Sequence, residues 1–201
     1  MSESNKRTLL AYENHIIDYI DGTPQEVTGD VKAWIDESLK DLPNTARILE
    51  VGSALGRDAD YIEAQGYEVD RSDATVGFVE YLKQQGHDVK VLNIIEGEID
   101  EQYDLIIANA VLLHFTREET ATVIKKICES LNSGGIFSFS IKHGEGEEWS
   151  EAKLSAPRYF CYWDKDLIGE VLKHAGFGEI SYVSGSADQS NAKWIHIIAK
   201  K

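Results

Sequence analysis

Apolar positions in the first part of the chain recur at helical spacing: Val27, Val31, Trp34, Ile35, Leu39 and Leu42 would form one stripe. Residues 6–42 are therefore expected to form two helices, with Pro43 and Asn44 as the stop. After that the pattern changes. A short apolar run at 47–51 reads as a strand, and further strands are expected at 67–73 and 88–93, separated by helices at 56–65 and 75–85 that stop at Gly66 and Gly86. The most apolar run, YDLIIANA at 103–110, is a fourth strand. Thr116 and Glu119 have the spacing of a capping box and open a helix to Leu131, ended by Gly134-Gly135 before a fifth strand at 136–141. Asp164 caps a helix that runs to Ala175, with Gly176 at its stop. Two final strands are expected at 179–184 and 193–199, joined across GSADQSN by a hairpin.

Strands alternating with helices indicate βαβ units, hence a parallel sheet with helices on both faces, an α/β/α sandwich. The closing hairpin breaks that rule, because a short hairpin joins antiparallel neighbours. The last strand should run against the others. No internal repeat or low-complexity segment occurs.

Composition narrows the partners. The chain has 201 residues, 42% hydrophobic and 27% charged, and a net charge of −15. A surface this acidic argues against a nucleic-acid backbone as the main partner, since phosphate binding needs a basic face. No apolar run reaches the roughly 18 residues of a membrane span, and MSESNKRTLLAYENH lacks a signal-peptide core, so no membrane role and a cytoplasmic location are expected. Cys128 and Cys161 form no CxxC pair, and no zinc site or disulfide framework is suggested.

The candidate chemistry sits where the first strand meets the first helix of the sheet, ILEVGSALGRD. In doubly wound sheets ligands bind beyond the carboxyl ends of the strands. Small residues at Gly52–Gly56 let a ligand approach the backbone, and amides at the helix start can hydrogen-bond it. Asp73 lies 21 residues past Gly52, at the end of the second strand, where a carboxylate can accept both ribose hydroxyls. The ligand should therefore contain a nucleoside. A dinucleotide fingerprint would read GxGxxG, and Gly-Ser-Ala-Leu-Gly fits it poorly.

The stretch resembles motif I of the class I S-adenosylmethionine-dependent methyltransferases, of the small-molecule type. The resemblance continues in order from about Tyr12 to the C-terminus, through VDRSDAT, VLNI, YDLIIANAVLLHF, LNSGGIFSFSIK and DKDLIGEVLKHAGF. It implies a Rossmann-like, seven-stranded, mostly parallel sheet with an antiparallel last strand. It implies S-adenosyl-L-methionine as cofactor, no metal, and in-line methyl transfer to a small-molecule acceptor. The cofactor-binding positions that it implies are Glu50, Gly52, Ser53, Ala54, Gly56, Arg57, Asp73, Ala74, Asn93, Ile94, Asn109 and Ala110. His114, just after the fourth strand, is the implied catalytic position, as base or substrate-orienting group. Two departures stand out: Ala54 replaces the middle glycine of the turn, and Ser133 replaces a proline.

One methyltransferase domain over 1–201 is expected, with a helical cap at 1–44, a cofactor-binding core at 45–142, a substrate-side insertion at 143–163 and a closing helix and hairpin at 164–201. Acceptor recognition is assigned to the cap, where Tyr12, His15 and Tyr19 would share one helix face, and to the insertion with Arg158 and Tyr162. Lys142, ending the fifth strand, joins them. The insertion's aromatics could cover an apolar acceptor, and Glu145, Glu147 and Glu148 could attract an amine. Two other readings stay open: a methyltransferase-like nucleoside-binding protein without activity, and a nicotinamide oxidoreductase, against which the glycine spacing speaks.

Overall fold

The computed structural model describes residues 1–184 and 194–201. Seven of its strands form one sheet: β1 (Arg47–Val51), β2 (Glu68–Asp73), β3 (Val89–Val91), β4 (Tyr103–Ala108), β5 (Leu131–Lys142), β8 (Glu179–Ser184) and β9 (Trp194–Lys200). Their order is β3-β2-β1-β4-β5-β9-β8. The first five run parallel, and β9 pairs antiparallel with both β5 and β8. This is the Rossmann-like arrangement expected. The GSADQSN turn and Lys193 lie outside the described residues.

Central strands are buried on both faces, which is why they read as unbroken apolar runs. In β4, Leu105 and Ile107 join the core cluster on one side, and Ile106 and Ala108 that on the other. The first side is covered by α3 (Gly29–Leu39), whose Trp34 and Ile35 are fully buried, at roughly 1.5–3 kcal/mol per side chain. The other is covered by α6 (Arg117–Glu129) and α7 (Lys165–Ala175). The capping box is present: the Thr116 hydroxyl accepts from the Glu119 amide, and the Glu119 carboxylate accepts from the Thr116 amide.

Several expectations shift. The helical cap holds three helices rather than two: α1 (Glu3–Glu13), α2 (Ile16–Asp21) and α3. The helix breaks at Asn14-His15, between Tyr12 and Tyr19, and the His15 ring pairs with Asp18. Leu131 belongs to β5, not α6. The Gly134-Gly135 pair lies inside a strand whose register shifts opposite Tyr103 and Leu105. The insertion folds a hairpin of β6 (Glu147–Ser150) and β7 (Arg158–Cys161).

The helix α1 lies across the carboxyl end of the sheet as a roof. It is tied down by the Ser2 amide donating to Glu119, the Asn93 amide to Asn5 and the Tyr159 amide to Thr8. Among the described residues no helix is long and apolar enough to cross a membrane.

Candidate functional site

The cleft opens at the carboxyl ends of β1, β2 and β4, beneath α1. Its narrow inner part, about 90 Å³, is lined by Gly52, Asp73, Phe78, Asn93, Ile94 and Tyr12, among others. It continues past Gly52, Ala54, Asn109 and Ala110 into a wider part of about 400 Å³, bounded by Arg57, Asp58, Lys153 and His196.

The turn after β1 depends on glycine. Gly52 has φ +79°, and a Cβ there would stand 2.4 Å from Val111 Cγ2. The Gly52 and Ser53 amides both donate to the Ser72 carbonyl, at 2.8 and 2.9 Å, which clamps the turn onto β2. Ala54 also takes a positive φ, +47°, and its amide donates to Asp73 Oδ2 at 2.8 Å. The other Asp73 oxygen accepts from the Thr75 amide at 2.8 Å. Asp73 is buried in the cleft wall, and burial raises its pKa against the pull of those two amides. The carboxylate keeps acceptor capacity beyond these two amides.

Two predicted positions sit behind the cleft rather than in it. Glu50 is buried under the turn, its Oε2 without a hydrogen-bond partner among the described residues. Burial, reinforced by the Asp58 carboxylate, pushes its pKa up to about 8. Gly56 starts α4 (Arg57–Glu63) at φ +87°, its carbonyl accepting from the buried Arg71 at 3.1 Å. A side chain there would meet Leu82 and Arg71 within 2.8 Å. Arg57 lines the wider part but is already engaged, by Asp58 at 2.8 Å and the Pro24 carbonyl at 3.3 Å.

Asn109 is held on both sides. Its amide donates to Asp58 at 2.7 Å, and its oxygen accepts from Ser140 at 2.6 Å. Ala110 follows in the left-handed region, φ +58°, with its own amide donating to Ser140. Ala74, Asn93 and Ile94 line the inner part, where Phe78, Leu92 and Thr75 join them without having been expected.

His114 ends a one-turn 3-10 helix, Leu112–His114, directly after β4. Its Nδ1 lies 2.7 Å from the Tyr159 carbonyl oxygen, and its Nε2 lies 2.8 Å from the Tyr12 hydroxyl. A carbonyl can only accept, so Nδ1 carries the proton and Nε2 accepts from Tyr12. Burial drives the ring's pKa down to about 3. Tyr12, itself raised by burial, also accepts from Arg158 at 3.2 Å.

Tyr12, Tyr19 and His114 stand where the cleft meets a large outer vestibule of about 840 Å³. Lys142, His143, Lys153, Arg158, Phe160 and Tyr162 line it. The rings of Tyr12 and Tyr19 meet edge to face, 5.4 Å apart. Of the three acids expected to attract an amine, only Glu148 lines this space, and its carboxylate accepts from the Tyr162 hydroxyl. Lys153 and the roof residues Asn5 and Thr8 escaped sequence reading. The signal available was the spacing of Asn5, Thr8 and Tyr12, one polar stripe on a helix.

The fold matches many methyltransferase structures. One is 1,6-didemethyltoxoflavin-N1-methyltransferase of Burkholderia thailandensis, solved with 1,6-didemethyltoxoflavin and S-adenosylhomocysteine bound: TM-score 0.74, 18% identity, covering 100% of this chain and 91% of that one. Another is TehB from Haemophilus influenzae: TM-score 0.63, 20% identity, 83% of this chain and 61% of that one. In sequence, the probable S-adenosyl-L-methionine-dependent methyltransferase TehB of Haemophilus influenzae (strain 10810) is 27% identical over 95 residues, 44% of this chain. The matched region spans about a third, 33%, of that relative's length. The family described as tellurite resistance protein TehB matches residues 27–149, more than half of the chain, and the chain belongs to that family.

Proposed function

We propose that the protein is an S-adenosyl-L-methionine-dependent methyltransferase that acts on a small-molecule acceptor. The observation that carries this is the Asp73 carboxylate, buried in the wall of the inner cleft and held by the Ala54 and Thr75 amides, with acceptor capacity to spare. That is a grip for a vicinal diol. Beside it, Ile94, Leu92 and Phe78 give an apolar slot of the kind that an adenine needs. The wider part has Lys153 and the Arg57–Asp58 pair at its edge, a polar end for the ligand. The family membership and the two relatives named above support the same reading.

When bound, S-adenosyl-L-methionine supplies a methyl group activated by an adjacent sulfonium. The chain's own residues position and exclude water. Asp73 would hold the sugar, and Gly52 and Ala54 let it approach the backbone. α1 roofs the inner cleft. Tyr12 and His114 fix the boundary between the cleft and the vestibule. Lys142, Arg158, Tyr162 and Tyr19 would face the acceptor. His114, neutral and with its free nitrogen already accepting from Tyr12, acts by orienting Tyr12 rather than by taking a proton. An acceptor that needs no general base, such as an amine or a phenolate, suits this arrangement. We place the protein in the cytoplasm on its two free, buried cysteines.

Calorimetric titration tests the reading: S-adenosylhomocysteine should bind and NAD should not. Absence of binding by S-adenosylhomocysteine would end it.

A further inference from the structure

The chain carries a net charge of −15, yet the outer vestibule is ringed with cations. Lys142, Lys153 and Arg158 line the vestibule; among the described residues that line it the one carboxylate is Glu148, already bound to Tyr162. Each cation lies against an aromatic ring. Lys142 Nζ is 4.3 Å from the Phe160 centroid, Lys153 Nζ 3.8 Å from that of Tyr19, and the Arg158 guanidinium 5.3 Å from that of Phe160. Rings hold a cation's position without cancelling its charge.

Arg158 is the decisive group. It is 5% exposed, and an arginine keeps its proton when buried. A buried charge is costly unless it is paired. Among the described residues Arg158 has no carboxylate partner. One terminal nitrogen donates to Tyr12, and among the described residues Nε has no hydrogen-bond partner. Lys153 has no carboxylate partner either. Its ammonium donates to the Thr23 hydroxyl at 2.7 Å, and its pKa falls to about 8 through burial and through the positive charges of Arg158 and Arg57. Among the described residues Arg158 and Lys153 therefore lack an anion. The planar fork of arginine matches a carboxylate in two-point contact. The aromatic walls and a volume of about 840 Å³ leave room for an organic body behind that carboxylate.

We propose that the vestibule takes an organic acceptor by its carboxylate, paired to Arg158, with the acceptor's apolar part against Phe160 and Tyr19. This rests on the methyltransferase reading for the word acceptor, and on the vestibule alone for the binding. The handle that the vestibule holds is anionic, the reverse of the cation that the insertion's glutamates suggested.

The test is calorimetric titration of the full chain, with and without S-adenosylhomocysteine, against benzoate, neutral benzamide, cationic benzylamine and inorganic sulfate at matched ionic strength. Benzoate should bind at least about tenfold more tightly than the other three, the scale of one charge-assisted contact. Arg158→Met should abolish that preference. Lys153→Met, which leaves Arg158 and Tyr12 in place, should weaken benzoate severalfold and guards against a misfolded Arg158 variant. Equal affinity for benzoate and benzamide, preference for benzylamine or sulfate, binding by none of the probes, or an undiminished preference in Arg158→Met would each overturn the proposal. Failure of S-adenosylhomocysteine alone to bind would strike the methyltransferase reading and leave the benzoate comparison standing.

Discussion

The Tyr12 hydroxyl donates to His114 Nε2 across 2.8 Å, joining the roof helix to the loop after β4. The other ring nitrogen is fixed by the Tyr159 carbonyl, so the imidazole is locked in one tautomer and held neutral, with a pKa near 3. A base so depressed accepts few protons at neutral pH. The profile of kcat/KM between pH 5.5 and 9 should therefore show no limb near 6.5 due to His114. Tyr12→Phe and His114→Gln should each lower kcat by about 100-fold through lost positioning. The double variant should be little worse than the worse single, because both break one contact. A limb near 6.5 that vanishes in His114→Gln would make the histidine a base after all.

Asp73 serves the turn and the proposed ligand at once. Removing it strips the Ala54 and Thr75 amides of their acceptor and removes the proposed partner of the sugar hydroxyls. Two hydrogen bonds to a charged group, at roughly 1.5–3 kcal/mol each, make a loss of about 100-fold or more in S-adenosylhomocysteine affinity for Asp73→Ala. The melting temperature should fall as well. Affinity within threefold of the wild type, by calorimetry, would deny the carboxylate its role.

Much of this was legible in the sequence, and the rest was hidden for physical reasons. β1 and β4 follow from unbroken apolar runs, and α6 from Thr116 and Glu119. Asp73 was found by its distance from Gly52, because a βαβ unit brings two strand ends together at that separation. Leu131 was misplaced because a glycine pair reads as a helix stop, whereas here it bends a strand. His15 was misplaced because helical spacing says nothing of a break at Asn14. The setting of His114 depends on Tyr12, 102 residues away, and Tyr159, 45 residues away, and no local pattern encodes such contacts. Arg57 illustrates a different ambiguity. Its charge suited a cofactor carboxylate, but the adjacent Asp58 takes it at 2.8 Å.

Glu50 and His114 make stability depend on pH with opposite signs. The Glu50 carboxyl, ordinarily near 4.5, is held up to about 8 in the folded chain. The folded state therefore keeps a proton that the unfolded chain releases. Glu50's contribution is complete below pH 4.5 and is lost as pH rises toward 8. His114, held down to about 3 from 6.5, contributes fully above 6.5 and costs stability as pH falls toward 3. Glu50→Gln keeps the shape of the protonated carboxyl and removes its titration. Thermal unfolding should then show a midpoint at least about 3 °C above wild type at pH 8 and little change at pH 5. An equal shift at both values would mean that Glu50 is ionised under the turn.

Gly52 offers the sharpest test of the turn itself. At φ +79° an L-residue carries a strain of about 1–2 kcal/mol. An added methyl would also stand 2.4 Å from Val111 Cγ2, a distance that forces Val111 toward the cleft that it lines. Gly52→Ala should therefore lower both the melting temperature and S-adenosylhomocysteine affinity. Pairing it with Val111→Ala removes the clash but not the strain, so part of the stability should return and the backbone share should not. Ala54→Gly is the counterpart in the same turn. Ala54 already bears a side chain at φ +47°, so relief of strain and loss of unfolded-state order nearly cancel, and its melting temperature should stay within a few degrees of wild type. If Gly52→Ala melts with the wild type and binds as tightly, the turn has room that this geometry denies, and close backbone approach by a ligand there loses its basis.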